Sequence, residues 1–271
     1  MSISGLTRGA AGLLGAAAVS LAGSAWARPL LGQPTPGHIG LQPSGSELAE
    51  NVAFFHNGVL MPIISIIVLF VMALLAYVCI RFNKEKNPVP ARFTHNTPVE
   101  VVWTIAPVVI LLFIAIFSYK LLFAFHDMPR ADLTVKATGV QWYWKYEYPD
   151  QQVPEFTSLM LDEQKAAAAG VPHKLAVDNP LVVPVGAVVR VLVTGEDVIH
   201  GFGIPAFGFT IDAIPGRLNE TWFKAERPGV YYGQCRELCG VDHAFMPIQV
   251  NVVSRPEFDR WVLAQGGQPY R

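Results

Sequence analysis

Two long stretches without any charged residue constrain this chain more than any other feature. Gly58 to Ile80 and Val101 to Tyr119 contain no Asp, Glu, Lys or Arg. Each is close to the length that a helix needs to cross a hydrocarbon core of roughly 30 Å. A single run of this kind could also be a buried helix of a water-soluble protein. Two runs in succession instead predict a transmembrane helical hairpin, with spans at about residues 58–80 and 101–123.

Composition agrees with a membrane-bound chain and excludes other classes. Of the 271 residues, 52% are hydrophobic and only 15% are charged, which is too apolar for an ordinary water-soluble domain. The net charge of -1 provides no basic surface for nucleic acid, so no nucleic acid partner is expected. Three cysteines are too few for a disulfide scaffold.

The N-terminus has the organisation of a signal peptide. Arg8 provides a positive charge, a small-residue apolar stretch follows, and an A-x-A cleavage site ends at Ala27. The alternative is a first membrane helix, but the stretch is short and rich in Ala and Gly. We therefore predict a signal peptide at residues 1–27 and an exported tail, expected to be partly mobile, at residues 28–55.

The loop between the two spans predicts the orientation of the hairpin. It carries an excess of basic residues, namely Arg81, Lys84, Lys86 and Arg92. Because Lys and Arg concentrate on the cytoplasmic side of membranes, the turn of the hairpin is expected in the cytoplasm. The hairpin, residues 56–125, is then followed by an exported domain, residues 126–271. That domain would lie on the periplasmic side of a bacterial inner membrane.

The exported domain is predicted to be all-β. Several short segments rich in β-branched and aromatic residues are separated by Gly and Pro turns, as in a sandwich or barrel. The segment DEQKAAAAG is expected to be a loop or a short helix. A final helix is predicted to begin after Ser254 as its N-cap and to end near Gly266.

Five soft donor residues indicate a metal site. Cys235, Cys239, His243 and Met246 follow one another at spacings of four, four and three, and His200 lies at the end of a predicted strand. Two thiolates, two imidazoles and a thioether select copper over magnesium, calcium or manganese. The sequence therefore predicts a copper site whose ligands come mainly from these five residues.

Three other interpretations of the same residues are open at this point. Zinc also takes two Cys and two His ligands, although a structural zinc site needs no Met. A single blue-copper centre uses one Cys, so one of the two cysteines would be left over. Cys235 and Cys239 could form a disulfide, which exported proteins favour. Two thiolates that bridge two copper ions would use every donor.

The quoted residues closely resemble the copper-binding subunit II of cytochrome c oxidase. The segment GQCRELCGVDHAFMPI is similar to the binuclear copper motif of that family. The segments DVIHGFGIPAFG, IDAIPGRLNETWF and GVQWYWKYEY are similar to further family blocks. The resemblance covers most of the chain after about residue 50, and the alphaproteobacterial and mitochondrial branch is the most similar.

The resemblance implies a cupredoxin-like β-sandwich and a role for each donor. Cys235 and Cys239 would bridge two copper ions, and His200 and His243 would each bind one of these ions. In the family, such a centre accepts electrons from cytochrome c and passes them to the haem-containing subunit I. Subunit I reduces oxygen, and the reaction is coupled to proton translocation.

The resemblance also implies roles for weaker ligands. Met246 and the backbone carbonyl of Glu237 would be axial ligands of the copper ions. The side chain of Glu237 would help to bind a magnesium ion shared with subunit I, although a solvated loop carboxylate is the alternative. An oxygen ligand of this kind does suit magnesium.

Four further residues match functional positions of the family. Trp142 would receive electrons from cytochrome c, or it packs in the core like its aromatic neighbours. Glu100 would open a proton path, or it is a carboxylate stabilised at a helix N-terminus. Asp212 and Arg217 would contact subunit I, or they form a surface salt bridge in a turn.

Three alternatives to an oxidase subunit make different predictions. A quinol oxidase subunit would lack the copper ligands, a nitric-oxide reductase could use the same centre, and a copper carrier would need an exposed site. The expected partners are cytochrome c, subunit I, other oxidase subunits and membrane lipid. Gly201, Gly203 and Thr210 depart from the family, in which bulkier residues and a Lys are usual. The modest acidic excess of the exported domain implies only weak attraction of a basic cytochrome c.

Overall fold

A computed structural model describes residues 30–269 of the chain. The predicted signal peptide at residues 1–27 therefore lies outside the described residues. The described part consists of a helical hairpin followed by a sandwich of two β-sheets. This confirms the predicted fold class of a two-helix transmembrane hairpin joined to an all-β domain.

Two long apolar helices form the hairpin. The first runs from Glu47 to Arg81 and the second, α3, from Thr97 to His126; both are long and apolar enough to cross a membrane. The first helix is made of three parts: α1, Glu47–Phe54; a π-helical turn, Phe55–Leu60; and α2, Met61–Arg81. It begins earlier than the predicted span because the Ser46 hydroxyl accepts a hydrogen bond from the N–H of Ala49.

The segment before α1, residues 30–46, lies along the β-sandwich, and we call it the N-terminal strap. The backbone N–H of Tyr232 donates to the carbonyl of Gly32 at 2.7 Å. Further along, the N–H of Gly45 donates to the carbonyl of Ala206 at 2.7 Å. The strap thereby satisfies one backbone N–H of β9 and one carbonyl of the turn at Pro205–Phe207. The tail predicted at residues 28–55 is thus anchored to the sandwich at two points of its described part.

Ten strands and two short helices form the domain after the hairpin. The strands are β1 Leu133–Val140, β2 Tyr143–Tyr148, β3 Val153–Ser158, β4 Leu181–Pro184, β5 Val188–Gly195, β6 His200–Ile204, β7 Phe209–Ala213, β8 Asn219–Lys224, β9 Gly229–Cys235 and β10 Pro247–Val253. The first sheet has the strand order β3-β2-β1-β5-β8, and the second has β4-β10-β9-β6-β7. The short helices are α4, Glu163–Ala169, and α5, Arg255–Ala264, which Ser254 caps as predicted.

Aromatic side chains fill the space between the two sheets. Alternate residues of β2, namely Trp144, Tyr146 and Tyr148, face inward and are fully buried. From the opposite sheet, Phe202 meets Trp144 edge to face, with ring centroids 5.1 Å apart. Burial of one such side chain stabilises the fold by about 1.5–3 kcal/mol. The core therefore holds β2 and β6, which flank the candidate metal site, in fixed relative positions.

Tyr148 joins the two sheets by hydrogen bonds, and its loss is expected to destabilise the domain. Its hydroxyl donates to the carbonyl of Val182 on β4 at 2.7 Å and accepts from the N–H of the same residue at 2.8 Å. Tyr148→Phe leaves both backbone groups buried without a partner, at a cost of about 1–3 kcal/mol of unfolding free energy. Thermal melting in detergent measures the change.

Tyr146→Phe is the matched control for that prediction. The Tyr146 hydroxyl is equally buried but has no hydrogen-bond partner among the described residues. Its removal is expected to leave the melting temperature unchanged or slightly raised. Equal melting temperatures for the two variants would contradict the structural role given to Tyr148.

Candidate metal centre

Three neighbouring segments at one end of the sandwich bring the candidate ligands together. His200 opens β6, Cys235 ends β9, and the loop between β9 and β10 carries Cys239, His243 and Met246. Strands β6 and β9 are antiparallel neighbours that pair near these ends. The strand pairing therefore places a histidine that lies far away in sequence beside the cysteine loop.

The donor atoms lie within a few ångströms of one another. The Sγ atoms of Cys235 and Cys239 are 3.9 Å apart, and both cysteines are free. Nδ1 of His200 lies 3.9 Å from the Cys235 sulfur, and Nδ1 of His243 lies 3.6 Å from the Cys239 sulfur. The Met246 sulfur is 3.6 Å from the Cys239 sulfur. Each thiol thus has an imidazole of its own.

Glu237 contributes its backbone to the same cluster. The Cys235 thiol donates to the carbonyl oxygen of Glu237 at a distance of 3.3 Å. Glu237 itself is exposed, in contrast to the two cysteines on either side of it. The loop therefore turns a carbonyl oxygen towards the cluster while its carboxylate residue lies at the surface.

The cluster is largely shielded from water. His200 and Met246 are 0% and 1% exposed, and the two cysteines are 5% exposed. His243 is half-buried at the rim of the cluster. The donor atoms of His200, Cys235 and Cys239 all lie within 4.8 Å of one another, close enough to share a metal ion.

The chemistry of the donors fits copper. Thiolates, imidazoles and a thioether are soft to intermediate ligands, and oxygen-preferring cations would find a single carbonyl oxygen here. A tetrahedral zinc site would account for the two cysteines and two histidines. It would leave unexplained why the buried Met246 sulfur also faces the cysteines.

The two thiols differ in their tendency to ionise. Burial raises the pKa of Cys235, but hydrogen bonds with His200 and with the backbone outweigh burial and lower that pKa. For Cys239, burial and the charge of Cys235 both raise the pKa. Burial lowers the pKa of His200, yet Cys235 and Asp197 outweigh it and raise that pKa. Cys235 therefore ionises before Cys239.

Asp197, which the sequence interpretation missed, connects two sides of the cluster. Its Oδ1 lies 2.9 Å from Nε2 of His200, and its Oδ2 accepts a hydrogen bond from the N–H of Gln141 at 2.8 Å. The side chain of Gln141 in turn donates to the carbonyl of Cys239 at 2.8 Å. The available signal was a carboxylate three residues before the candidate histidine in GEDVIH.

Trp142 lies against the cysteine loop. Its indole N–H donates to the carbonyl of Cys239 at 3.3 Å. A Cβ atom on Gly240, whose φ is +126°, would lie 3.0 Å from the indole ring, so the glycine permits this close approach. Trp142 is half-buried, so one part of the indole touches the ligand loop and another faces solvent.

The other residues singled out from the sequence lie away from the cluster. Glu100 is in the first turn of α3, where its carboxylate accepts a hydrogen bond from the N–H of Asn96 at 2.9 Å. Asp212 and Arg217 are exposed around the turn after β7. Within residues 30–269 these two form no salt bridge with each other.

Comparisons with known proteins agree over nearly the whole chain. The family model of the periplasmic domain of cytochrome c oxidase subunit II matches residues 133–253, and the model of its transmembrane domain matches residues 34–121. Cytochrome c oxidase subunit 2 of Cereibacter sphaeroides is 45% identical over 284 residues, covering 98% of this chain and 92% of its own. That of Arabidopsis thaliana is 40% identical over 236 residues, covering 85% and 90%.

A solved structure is also similar. The crystal structure of the periplasmic domain of subunit II of cytochrome oxidase from Bradyrhizobium japonicum shares 60% sequence identity, covers 51% of this chain and 96% of that chain, and has a TM-score of 0.48. The family assignment rests on the two family models and on the relatives, which match both the hairpin and the sandwich. The chain belongs to the family of cytochrome c oxidase subunit II.

Proposed function

We propose that this chain binds a pair of copper ions and that electrons from cytochrome c enter the oxidase there. Its general role as an electron-transferring subunit of a haem–copper oxidase follows from its family. One observation carries the finer proposal. The two thiols lie 3.9 Å apart, and each has its own imidazole within 4 Å. That symmetry suits two metal ions better than one.

Each donor then has a part in the binding of copper. Cys235 and Cys239 would hold both ions, while His200 and His243 would each hold one of them. Met246, whose sulfur lies beside Cys239, would be a weaker ligand. The carbonyl of Glu237, which accepts a hydrogen bond from the Cys235 thiol, would be the other weak ligand.

When bound, the copper pair supplies a one-electron redox couple that both ions share. The protein keeps the donors in place by contacts from outside the cluster. The Trp144 indole donates to the carbonyl of Met246 at 3.2 Å, and Asp197 orients the His200 ring. Because His200 and Met246 are themselves buried in the sandwich and fixed by these contacts, the ligands need little rearrangement when the charge of the site changes. A carrier that exchanges copper would need donors more exposed than these.

Copper content and electron paramagnetic resonance test the proposal on the full-length chain in detergent. We expect two copper ions per chain, with a hyperfine pattern that shows one unpaired electron spread equally over two copper nuclei. A single copper ion with the pattern of one nucleus would overturn the binuclear assignment. Bound zinc, or a Cys235–Cys239 disulfide that persists after reduction and copper loading, would overturn it as well.

Trp142 is proposed as the residue that receives electrons from cytochrome c. It is half-exposed, and its indole N–H donates a hydrogen bond to the carbonyl of Cys239. Trp142→Phe in the assembled oxidase is expected to lower the rate of copper reduction by cytochrome c several-fold or more, with unchanged copper content. Stopped-flow absorbance measures that rate.

Trp222→Phe is the matched control. The Trp222 indole also donates to one backbone carbonyl, that of Phe125 at 3.1 Å, but it lies beside the hairpin. Its loss is expected to leave the rate of copper reduction unchanged. Equal rates in both variants would exclude Trp142 as the electron acceptor.

Two carboxylates are proposed to serve the assembled oxidase, one at the contact with subunit I and one at a proton path. Glu237 is exposed beside the copper ligands, where its side chain can bind a magnesium ion shared with that subunit. Glu100, in the first turn of α3, is proposed to open a proton path on the cytoplasmic side of the membrane. Its hydrogen bond with Asn96 also caps the helix, and the two roles are compatible.

The proposed location is the inner membrane of a bacterium. The basic loop between the two long helices supports a cytoplasmic turn, and the matched description of the sandwich supports a periplasmic copper domain. The large exposed apolar side chains of the hairpin would contact lipid and subunit I.

A further inference from the structure

Arg236, between Cys235 and the carbonyl ligand Glu237, lies in a trough on the outer face of β6. A Cβ atom on Gly203 would be only 2.7 Å from its Cγ and 3.2 Å from its Nε. A Cβ atom on Gly201 would be 2.9 Å from its Cβ. Two glycines therefore make room for one arginine, whose side chain covers a strand that is buried on both faces.

The trough directs the arginine towards β7. Gly203 pairs with Thr210, and a Cβ atom on Gly203 would also lie 2.8 Å from the Thr210 hydroxyl. Thr210 lines a cavity of about 340 Å³ with Leu122 and Phe125 near the end of α3. The guanidinium is thus held on the side of the copper domain that faces the end of a membrane helix.

This guanidinium has no anionic partner in the part of the chain that the structure describes. Arg190 pairs with Glu220, and Arg255 pairs with Asp259. Between residues 30 and 269, no carboxylate forms an ion pair with Arg236, although its residue is exposed. A positively charged side chain whose aliphatic part is fixed by packing loses less conformational entropy when it binds a partner. It is therefore prepared to recognise an anion that another molecule supplies.

We propose that Arg236 binds a carboxylate of the neighbouring membrane subunit of the oxidase. The planar guanidinium matches a carboxylate by two parallel hydrogen bonds. The inference rests on the proposed electron path. Electrons that enter beside Trp142 and Cys239 must leave by a different surface, and Arg236 follows Cys235 on the face where the neighbouring Thr210 lines a cavity with the end of α3. A protein acceptor, rather than lipid, has to cover that face.

Retention of this chain by the assembled oxidase tests the proposal. The complex is captured through a membrane subunit and washed with increasing salt, and the retained chain is quantified. We expect Arg236→Ala to reduce retention several-fold at intermediate salt, and Arg236→Lys to reduce it less, because lysine keeps the charge without the planar fork. Lys165→Ala, which removes the same charge from the exposed helix α4, is the control and should change nothing.

A second-site variant separates a charge contact from simple misfolding. Thr210 lies beside the trough, so Thr210→Lys in the Arg236→Ala background is expected to restore retention. The proposal is overturned if Arg236→Ala is retained like the parent, or if Thr210→Lys fails to rescue it. The parent chain is also washed after anionic lipid has been replaced by zwitterionic detergent. If this releases the parent as strongly as Arg236→Ala is released, the proposal is overturned in favour of a lipid phosphate.

Copper spectra distinguish failure of this inference from failure of the copper proposal. The paramagnetic resonance spectrum of Arg236→Ala is expected to equal that of the parent, because the Arg236 side chain lies against Gly201 and Gly203 and none of the hydrogen bonds among the donors involves it. A changed spectrum would mean that Arg236 acts on the metal site and would overturn the docking role. If the parent itself lacks a binuclear spectrum, the copper proposal is wrong. The retention of Arg236→Ala and Arg236→Lys would still test the contact with the membrane subunit.

Discussion

Cys235→Ser in the full-length chain is expected to remove nearly all bound copper. A serine hydroxyl occupies about the same space as the thiol, so the fold around the end of β9 should persist. The hydroxyl is a hard, weakly acidic donor and cannot replace a bridging thiolate for copper. Elemental analysis after copper loading and dialysis gives the metal content, and far-ultraviolet circular dichroism shows whether the sandwich is intact.

Cys79→Ser is the matched control for that loss. Cys79 lies in α2 of the hairpin and is exposed there, away from the donor cluster. The same chemical change should leave copper content and spectrum unaltered. If Cys235→Ser kept its copper, the bridging role of this thiol would be excluded. If both variants lost copper equally, the loss would come from handling and not from the site.

Much of the donor set is predictable from the sequence because one loop carries it. Cys235, Cys239, His243 and Met246 occur within a single short segment, so their proximity follows from chain connectivity. The proximity of His200 does not follow from chain connectivity, because only the pairing of β6 with β9 brings this residue to the loop. The two apolar helices were predictable for an equally local reason, because their uncharged runs are long enough to cross a membrane.

Contacts that depend on strand pairing could not be predicted in this way. Asp197 meets Gln141, 56 residues earlier, because β1 and β5 lie side by side in parallel register. The trough under Arg236 depends on the register that sets Gly203 opposite Thr210. Hydropathy likewise locates the apolar span that begins at about residue 58. It does not show that the first helix already begins at Glu47.

Asp197→Asn is expected to weaken copper binding by about 10- to 100-fold, the usual effect of removing a partner that orients a metal-binding histidine. The carboxylate has one oxygen near Nε2 of His200 and the other at the N–H of Gln141. An asparagine has one acceptor oxygen, so it can keep one of these hydrogen bonds and must present an N–H₂ group to the other donor. Competition with a copper chelator measures the affinity of the full-length chain.

Asp212→Asn gives the matched control, since this carboxylate is exposed and forms no salt bridge within residues 30–269. It should bind copper with the parent's affinity. The spectra separate two explanations for Asp197. If the carboxylate orients His200, the variant's hyperfine couplings become unequal, because one imidazole has lost its support and the other has not. If it acts solely as one negative charge near the site, affinity falls while the couplings stay equal. Unchanged affinity in Asp197→Asn would mean that packing alone orients His200, whose ring is fully buried.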